Sequence, residues 1–325
     1  MLPIRREAAD PSGELTTYLH RLARWVEVVV VDGSPAPVFA AHHAAWSQVA
    51  AHLPPDQAVT CRNGKVRGVL TGLAAAGHDA VVVADDDVRW DAGGLARAVR
   101  LLERTDLVWP QNYFDPLPWH ARLDTARTLV NRATGGDFPG TVAVRRSFLA
   151  DTGGYDGDVL FENLELLRTV RAAGGVVAAP LDLYVRRLPP SARHFLGQRV
   201  RQAYDELARP ARLAASLAVA PGALALTGRR RWRALGAAAA LVVGLAEAGR
   251  RRAGGAGRFP VSSSLLAPVW LLERGVSAWL AVRVRLVHGG MPYAGAVLAT
   301  AATPERVLRR RHGGEMRRTG PARLR

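Results

Sequence analysis

One cysteine, Cys61, is present in 325 residues, so the chain has no internal disulfide framework, and its composition fits a reducing compartment. Lysine is equally scarce: Lys65 stands alone, and the other 43 of 44 basic side chains are arginine. The N-terminal stretch MLPIRREAADPSGE carries charge where a secretory leader needs an apolar core, so the expected location of the N-terminal part is the cytoplasm. No clean apolar run reaches the roughly 20 residues that span a bilayer. A Walker phosphate loop is also excluded. NGKVRG has no glycine five residues before Gly64 and no Ser or Thr after Lys65.

What the chain does have is 49 % hydrophobic and 22 % charged residues, the balance of a folded protein. Its formal charge of +16 is uneven. From Arg209 onward there are 21 arginines against Glu247, Glu273, Glu305 and Glu315, whereas the preceding part is close to neutral. A basic tail of this kind calls for an anionic partner, a membrane surface or a nucleic acid. The arginines are interleaved with Trp, Leu and Val rather than set in a nucleic-acid-binding motif, which favours the membrane surface.

Short apolar runs alternate with helical patterns over the first two hundred residues. VEVVVV (26–31), AVTCR (58–62) and AVVVA (80–84) read as buried strands. VFAAHHAAWSQVAAHL (38–53), NGKVRGVLTGLAAAG and AGGLARAVRLLERT read as helices, and DLVWPQNYF as extended chain. This alternation predicts an α/β fold with a mostly parallel sheet flanked by helices. Beyond residue 208 two Ala-rich runs of about fifteen residues flank GRRRWR, and a Trp- and Arg-containing helical segment follows. The expected division is a catalytic domain over 1–208 and a basic helical region over 209–325, interfacial or inserted in a membrane, with a buried helical subdomain as the plain alternative.

Ligands of such sheets sit beyond the carboxyl ends of the strands. Those ends carry Arg5, Arg6 and Glu7, then Asp32, Gly33 and Ser34, then Asn63, Gly64 and Lys65, then Asp85, Asp86 and Asp87. Strand alternation puts Asp85 and Asp87 on one side and Asp86 on the other. Two converging carboxylates are hard oxygen ligands for Mg²⁺ or Mn²⁺, which also remove the repulsion between them, and such ions commonly bring a substrate phosphate. A solvated acidic turn is the plain alternative. NGK, a glycine turn entering a helix with one cation, suits a phosphate, although a helix start with a surface lysine reads the same way. Gly135, Gly136 and Gly140 around Asp137 indicate a loop where backbone approaches a ligand. Glu162 and Glu165 open the helix FENLELLRTVRAAG, where carboxylates suit the helix dipole whatever else they do.

Taken in order, LPIR, VVVVDGS, NGK, VVVADDDV, GTVAVRRSFLADTGGYDGDVLFENLELL and QRVRQ resemble the motifs of family-2 glycosyltransferases of the GT-A fold, over about residues 1–208. The resemblance implies that Pro3, Arg5, Glu7, Asp32 and Ser34 hold the base and ribose of a sugar nucleotide. It implies that Asp85 and Asp87 form the DxD motif on the metal, with Asp85 also toward the donor. Asn163 stands where the family's usual base is an aspartate, which moves that role to Glu162 first and Glu165 second. Gln198 and Arg201 match the first four positions of the QxxRW motif of membrane-bound, ceramide-glucosyltransferase-like members, with Gln202 in place of Trp. The expected partners are a nucleoside-diphosphate sugar, with UDP the commoner choice, a hydroxyl acceptor, lipid or saccharide, and an anionic membrane surface. The expected location is the cytoplasmic face of the cell membrane. A sugar nucleotidyltransferase is a competing reading, but it needs a glycine-rich basic signature near the N-terminus, which LPIRREAADPSG does not supply. Asn163 also admits a catalytically inactive sugar-nucleotide binder, and the basic tail a nucleic-acid-binding protein.

Overall fold

The protein is described by a computed structural model covering residues 1–10, 13–137, 140–293 and 295–318. Two compact units emerge. One comprises Met1–Trp109, Gly140–Ala178 and Ala302–Arg325, the other Pro110–Pro139 and Ala179–Ala301. This division is not the expected one at 208/209: residues 110–139 and 179–208 group with the helical part, and the segment from Ala302 groups with the first unit.

The first unit is built on valine-rich strands whose β-branched side chains suit a sheet buried on both faces. Leu2–Ile4 pairs in parallel with Val29–Asp32, which pairs in parallel with Ala51–Leu53. Ala80–Ala84 runs antiparallel to Thr141–Arg145, which borders Leu107–Val108, itself parallel to Val177–Ala178. Met1 joins the two sets: its amine donates to the Val82 carbonyl at 2.8 Å and its carbonyl accepts the Ala84 N–H at 3.1 Å. Helix Gly64–Ala75 packs on the first two strands and helix Ala92–Leu102 on Thr141–Arg145. The α/β architecture with a mostly parallel sheet and flanking helices is the one expected.

Three local expectations are corrected. The helix over 38–53 ends at Trp46, and Ala51–Leu53 is a strand. Residues 58–62, read as a strand, form turns. The first has a plain cause: a three-residue strand is too short to leave a periodic signal, so its apolar residues merge with the helix before it. The strand before the aspartates ends at Ala84, so Asp85–Asp87 occupy a turn and the alternation of strand side chains does not reach them.

The second unit is helical, with Trp119–Thr134, Pro210–Gly228, Trp232–Arg251 and Ala267–His288 as its long elements. Ala126, Leu129, Ala246, Phe259, Ala267 and Trp270 form a buried cluster. Gly249 permits the closest approach, since a Cβ there would lie 1.9 Å from the Leu129 carbonyl oxygen. One buried carboxylate is paired twice. Asp124 meets Arg127 at 3.3 Å and Arg199 at 3.1 Å. The Asp137 carboxylate, expected near a ligand, is held inside this unit by Arg127, Thr128 and Asn131 at 2.6–2.7 Å. Phe138 and Pro139 of that glycine loop lie outside the described residues. Pro210–Gly228 and Trp232–Gly257 are long and apolar enough to cross a membrane, and only 6 % and 11 % of their apolar windows are buried. The apolar runs of fifteen residues underestimated these helices, because Pro210 can open a helix at its first turn and Pro221 is accommodated inside it.

Candidate active site

Three chemically distinct residues meet at the carboxyl edge of the sheet. Lys65 lies in the first turn of helix Gly64–Ala75, Asp85 just past strand Ala80–Ala84, and Glu162 at the start of helix Glu162–Ala172. The Lys65 ammonium bridges them, paired with Asp85 Oδ1 and with Glu162 Oε1, the latter at 2.5 Å. Burial alone would lower the lysine pKa, but the two carboxylates outweigh it and hold the ammonium above its ordinary range. Tyr155 lies in the same field. Burial first, and then the Glu162 charge, push its phenol upward, so it stays protonated. The sequence had offered no signal for Tyr155.

Asn63 explains the convergence. Its Oδ1 accepts the Lys65 N–H at 3.0 Å as a helix cap, its Nδ2 donates to the Val159 carbonyl at 2.9 Å, and its own N–H donates to Gly157. The residue is fully buried, and these bonds tie the lysine-bearing turn to the segment leading into Glu162. Asn63, expected to touch the donor, braces the site instead. Gly157 is needed for this approach, since a Cβ would lie 2.5 Å from that of Cys61.

The acidic turn is divided between two cations. Asp85 takes Lys65, while Asp86 Oδ2 accepts from Arg6 Nε at 2.9 Å and Nη2 at 2.8 Å. Asp87 follows in the same turn, partly exposed. Arg6 in turn donates its backbone N–H to Ser34 Oγ at 2.9 Å, linking the first strand end to the DGS turn. Pro3 is buried beneath Gly68, and Arg5 and Glu7 form an exposed pair at 3.8 Å.

Asp32 lies deeper than its expected role requires. Its side chain has no exposed surface. Oδ2 accepts from His42 Nδ1 at 2.6 Å and His52 Nε2 at 3.1 Å, and Oδ1 accepts the Ser34 N–H at 2.8 Å. Burial pushes the Asp32 carboxyl up, but the bonds from Ser34, His42 and His52 outweigh it and hold it below the usual range. Burial lowers the His52 imidazole more than Asp32 raises it, so that ring is neutral near pH 7. Among the described residues these three form the one His/Asp group with ligand atoms all within 4.8 Å. The 2.6 Å contact is a hydrogen-bond length. A zinc-class ion about 2.1 Å from each ligand would need the atoms further apart.

Glu165 is also placed elsewhere than the chemistry requires. It is fully buried, and Oε2 accepts the Thr303 N–H at 2.6 Å. Burial raises its carboxyl despite that bond. A carboxylate closed off in this way cannot reach an acceptor hydroxyl. Glu162, with 12 % of its side chain exposed and facing Lys65, remains. Gln198 and Arg201 belong to the helical unit, where Arg201 Nη1 donates to Gln198 Oε1 at 3.2 Å and its guanidinium lies 4.7 Å over the Tyr293 ring.

Asp85 and Asp87 offer only carboxylate oxygen, the donor type of Mg²⁺ and Mn²⁺, and the Asp85–Glu162 pair already holds a cation in Lys65. The residues present therefore fit a divalent ion.

No protein-family model matches the chain. No curated protein matches it either. Among solved structures, the fold is similar to a mannosyltransferase from Pyrobaculum calidifontis in complex with GDP-Man and Mn²⁺, 18 % identical, over 96 % of this chain and 83 % of that one, with a TM-score of 0.48. It is similar also to the glucosyl-3-phosphoglycerate synthase of Mycobacterium tuberculosis in complex with Mn²⁺, UDP and glucosyl-3-phosphoglycerate, 19 % identical, over 61 % and 75 % of the two chains, with a TM-score of 0.40.

Proposed function

We propose that this protein is a metal-dependent, inverting glycosyltransferase that moves a sugar from a nucleoside-diphosphate sugar to a hydroxyl acceptor at a membrane surface. The observation that supports the reading is the Asp85–Lys65–Glu162 cluster at the carboxyl edge of the sheet, built from three of the motifs that resemble family-2 glycosyltransferases. Asp85 and Asp87 would hold Mg²⁺ or Mn²⁺, which when bound supplies positive charge for the departing diphosphate.

The chain's own residues do the rest. Lys65 turns from the two carboxylates to the donor diphosphate, a stronger anionic partner for an ammonium. That movement releases Glu162, which takes the proton of the acceptor hydroxyl as its oxygen attacks the anomeric carbon. The bond to the diphosphate breaks on the opposite face, and Lys65 stays with the leaving group. Ser34 and the Arg5–Glu7 segment flank the strand ends where base and ribose are expected.

Membrane association has separate support. The helical unit leaves Leu224, Leu241, Leu286, Val287 and Trp232 exposed, and Arg229–Arg231 and Arg233 are exposed in the same unit. Apolar side chains with interleaved arginine suit the boundary of an anionic bilayer. A lipid or cell-envelope saccharide acceptor follows from that position.

The test is a donor screen that measures nucleoside-diphosphate release from UDP-, GDP- and ADP-sugars with Mg²⁺ or Mn²⁺, with and without membrane lipid. Release that depends on the ion and rises with lipid supports the reading. Pyrophosphate release would instead mark a nucleotidyltransferase, and nucleotide binding with no release from any donor an inactive relative.

A further inference from the structure

The carboxylate expected to read the donor base is turned inward in this chain, and two histidines outside any motif hold it there. His42 lies within helix Ala36–Trp46 and His52 within strand Ala51–Leu53, both at least nine-tenths buried. Both donate to the same oxygen of Asp32. His43 Nδ1 lies 3.2 Å from His52 Nδ1 and completes the ring's bonding, while Trp46 stacks on His42 at 4.1 Å and Phe39 covers His52 at 4.4 Å. The remaining Asp32 oxygen is taken by the Ser34 N–H.

From Ser34 the bonding continues. Ser34 Oγ accepts the Arg6 N–H, and the Arg6 guanidinium grips Asp86 between the two proposed metal ligands. Three strand ends and the middle of strand Ala51–Leu53 are thus joined in one chain of hydrogen bonds, His42/His52–Asp32–Ser34–Arg6–Asp86, anchored at its buried end. Both oxygens of the buried Asp32 carboxylate are bonded, which fixes one geometry, because any other leaves a desolvated carboxylate unpaired.

Resting on the glycosyltransferase reading, we propose that His42 and His52 are positioning residues for donor and metal binding, acting through Asp32, and that Asp32 does not select the base. The network sets the shape of the DGS turn and of the acidic turn. Its loss weakens every nucleoside diphosphate alike.

The test compares isosteric with apolar replacements in the full chain. The amide nitrogen of Asn can stand where His Nδ1 stands, and that of Gln where Nε2 stands. His42→Asn and His52→Gln therefore keep the bond to Asp32, while His42→Phe and His52→Leu remove it. Binding of UDP, GDP and ADP with Mn²⁺ is measured by calorimetry, with a thermal melt to verify folding. The expected result is roughly ten- to hundredfold weaker binding in the apolar variants, by the same factor for all three nucleotides, and near wild-type binding in the amide variants. A shift in preference among the three bases for Asp32→Asn overturns the proposal, since Asp32 would then be reading the base. Unchanged binding in folded His52→Leu overturns it too. So does one equivalent of zinc in the purified chain that is lost in His52→Gln. Wild-type protein that binds none of the nucleotides removes the glycosyltransferase reading itself, and this proposal with it.

Discussion

Lys65 is the residue on which the candidate chemistry turns. One ammonium neutralises both a proposed metal ligand and the proposed base, so its removal leaves two partly buried carboxylates facing each other. Lys65→Met is expected to weaken donor binding about tenfold or more while the fold is kept, measured by calorimetry with UDP or GDP and Mn²⁺. The two glutamates separate cleanly. Glu162→Gln should lose turnover with donor binding kept, whereas Glu165→Gln, which still accepts the Thr303 N–H, should keep turnover. Equal loss in both variants would show that burial had misassigned Glu165. Asp87→Ala should abolish transfer with an unchanged melting curve, and chelator-resistant activity in that variant would remove the metal assignment. The residues legible from sequence, Asp85, Lys65 and Glu162, stand at strand or helix ends where motif order locates them. Tyr155, His42 and His52 had no such signal, because their neighbours come from distant segments.

Among the elements, the helix Glu162–Ala172 is held from two sides. Asn63 braces the segment before it, and the C-terminal segment locks it from behind, with Thr303 on Glu165 and Arg168 donating to the Thr303 carbonyl at 2.9 Å. The helix Glu305–Arg318 packs against it and continues this contact. Glu165→Ala removes a buried bond and leaves the Thr303 N–H unmet, an expected loss of about 2–4 kcal/mol by thermal or urea unfolding, against less than about 1 kcal/mol for Glu165→Gln. A small effect of Ala would indicate that the C-terminal segment is held by other contacts. None of this was visible in the periodic pattern of FENLELLRTVRAAG, which shows that Glu165 opens a helix but not that it faces inward.

For the whole molecule, charge and apolar exposure both concentrate in the helical unit. Full-length protein should sediment with anionic phosphatidylglycerol vesicles and much less with neutral phosphatidylcholine ones. Replacing Arg229, Arg230, Arg231 and Arg233 by Gln should weaken that binding by about 1 kcal/mol per arginine at the surface. Retention on DNA at moderate salt without vesicle binding would reverse the choice of partner. Acid should loosen the same unit. Burial would raise the Asp124 carboxyl, but Arg127 and Arg199 outweigh it and hold it well below its ordinary value of 3.8. The unfolded chain therefore takes up this proton first, so the stabilisation is complete above about pH 4 and is lost as pH falls below it. Near-UV circular dichroism through an acid titration should show that loss, and Asp124→Asn should flatten it.

Strand and helix alternation, the basic tail and the order of polar strand ends are local or additive properties, and all were legible in the primary structure. Short-range periodicity and summed charge need no knowledge of distant neighbours. Burial and pairing do need it. Asp32 and Glu165 read as site carboxylates until the fold enclosed them, one beneath His42 and His52 and the other beneath Thr303. Lys65 reads as a cation for a phosphate, and its pairing with Asp85 and Glu162, from separate segments of the chain, shows only once the fold brings them to its ammonium. Whether a carboxylate is a base, a ligand or a brace depends on which donors surround it and whether water reaches it, and only the folded chain sets both.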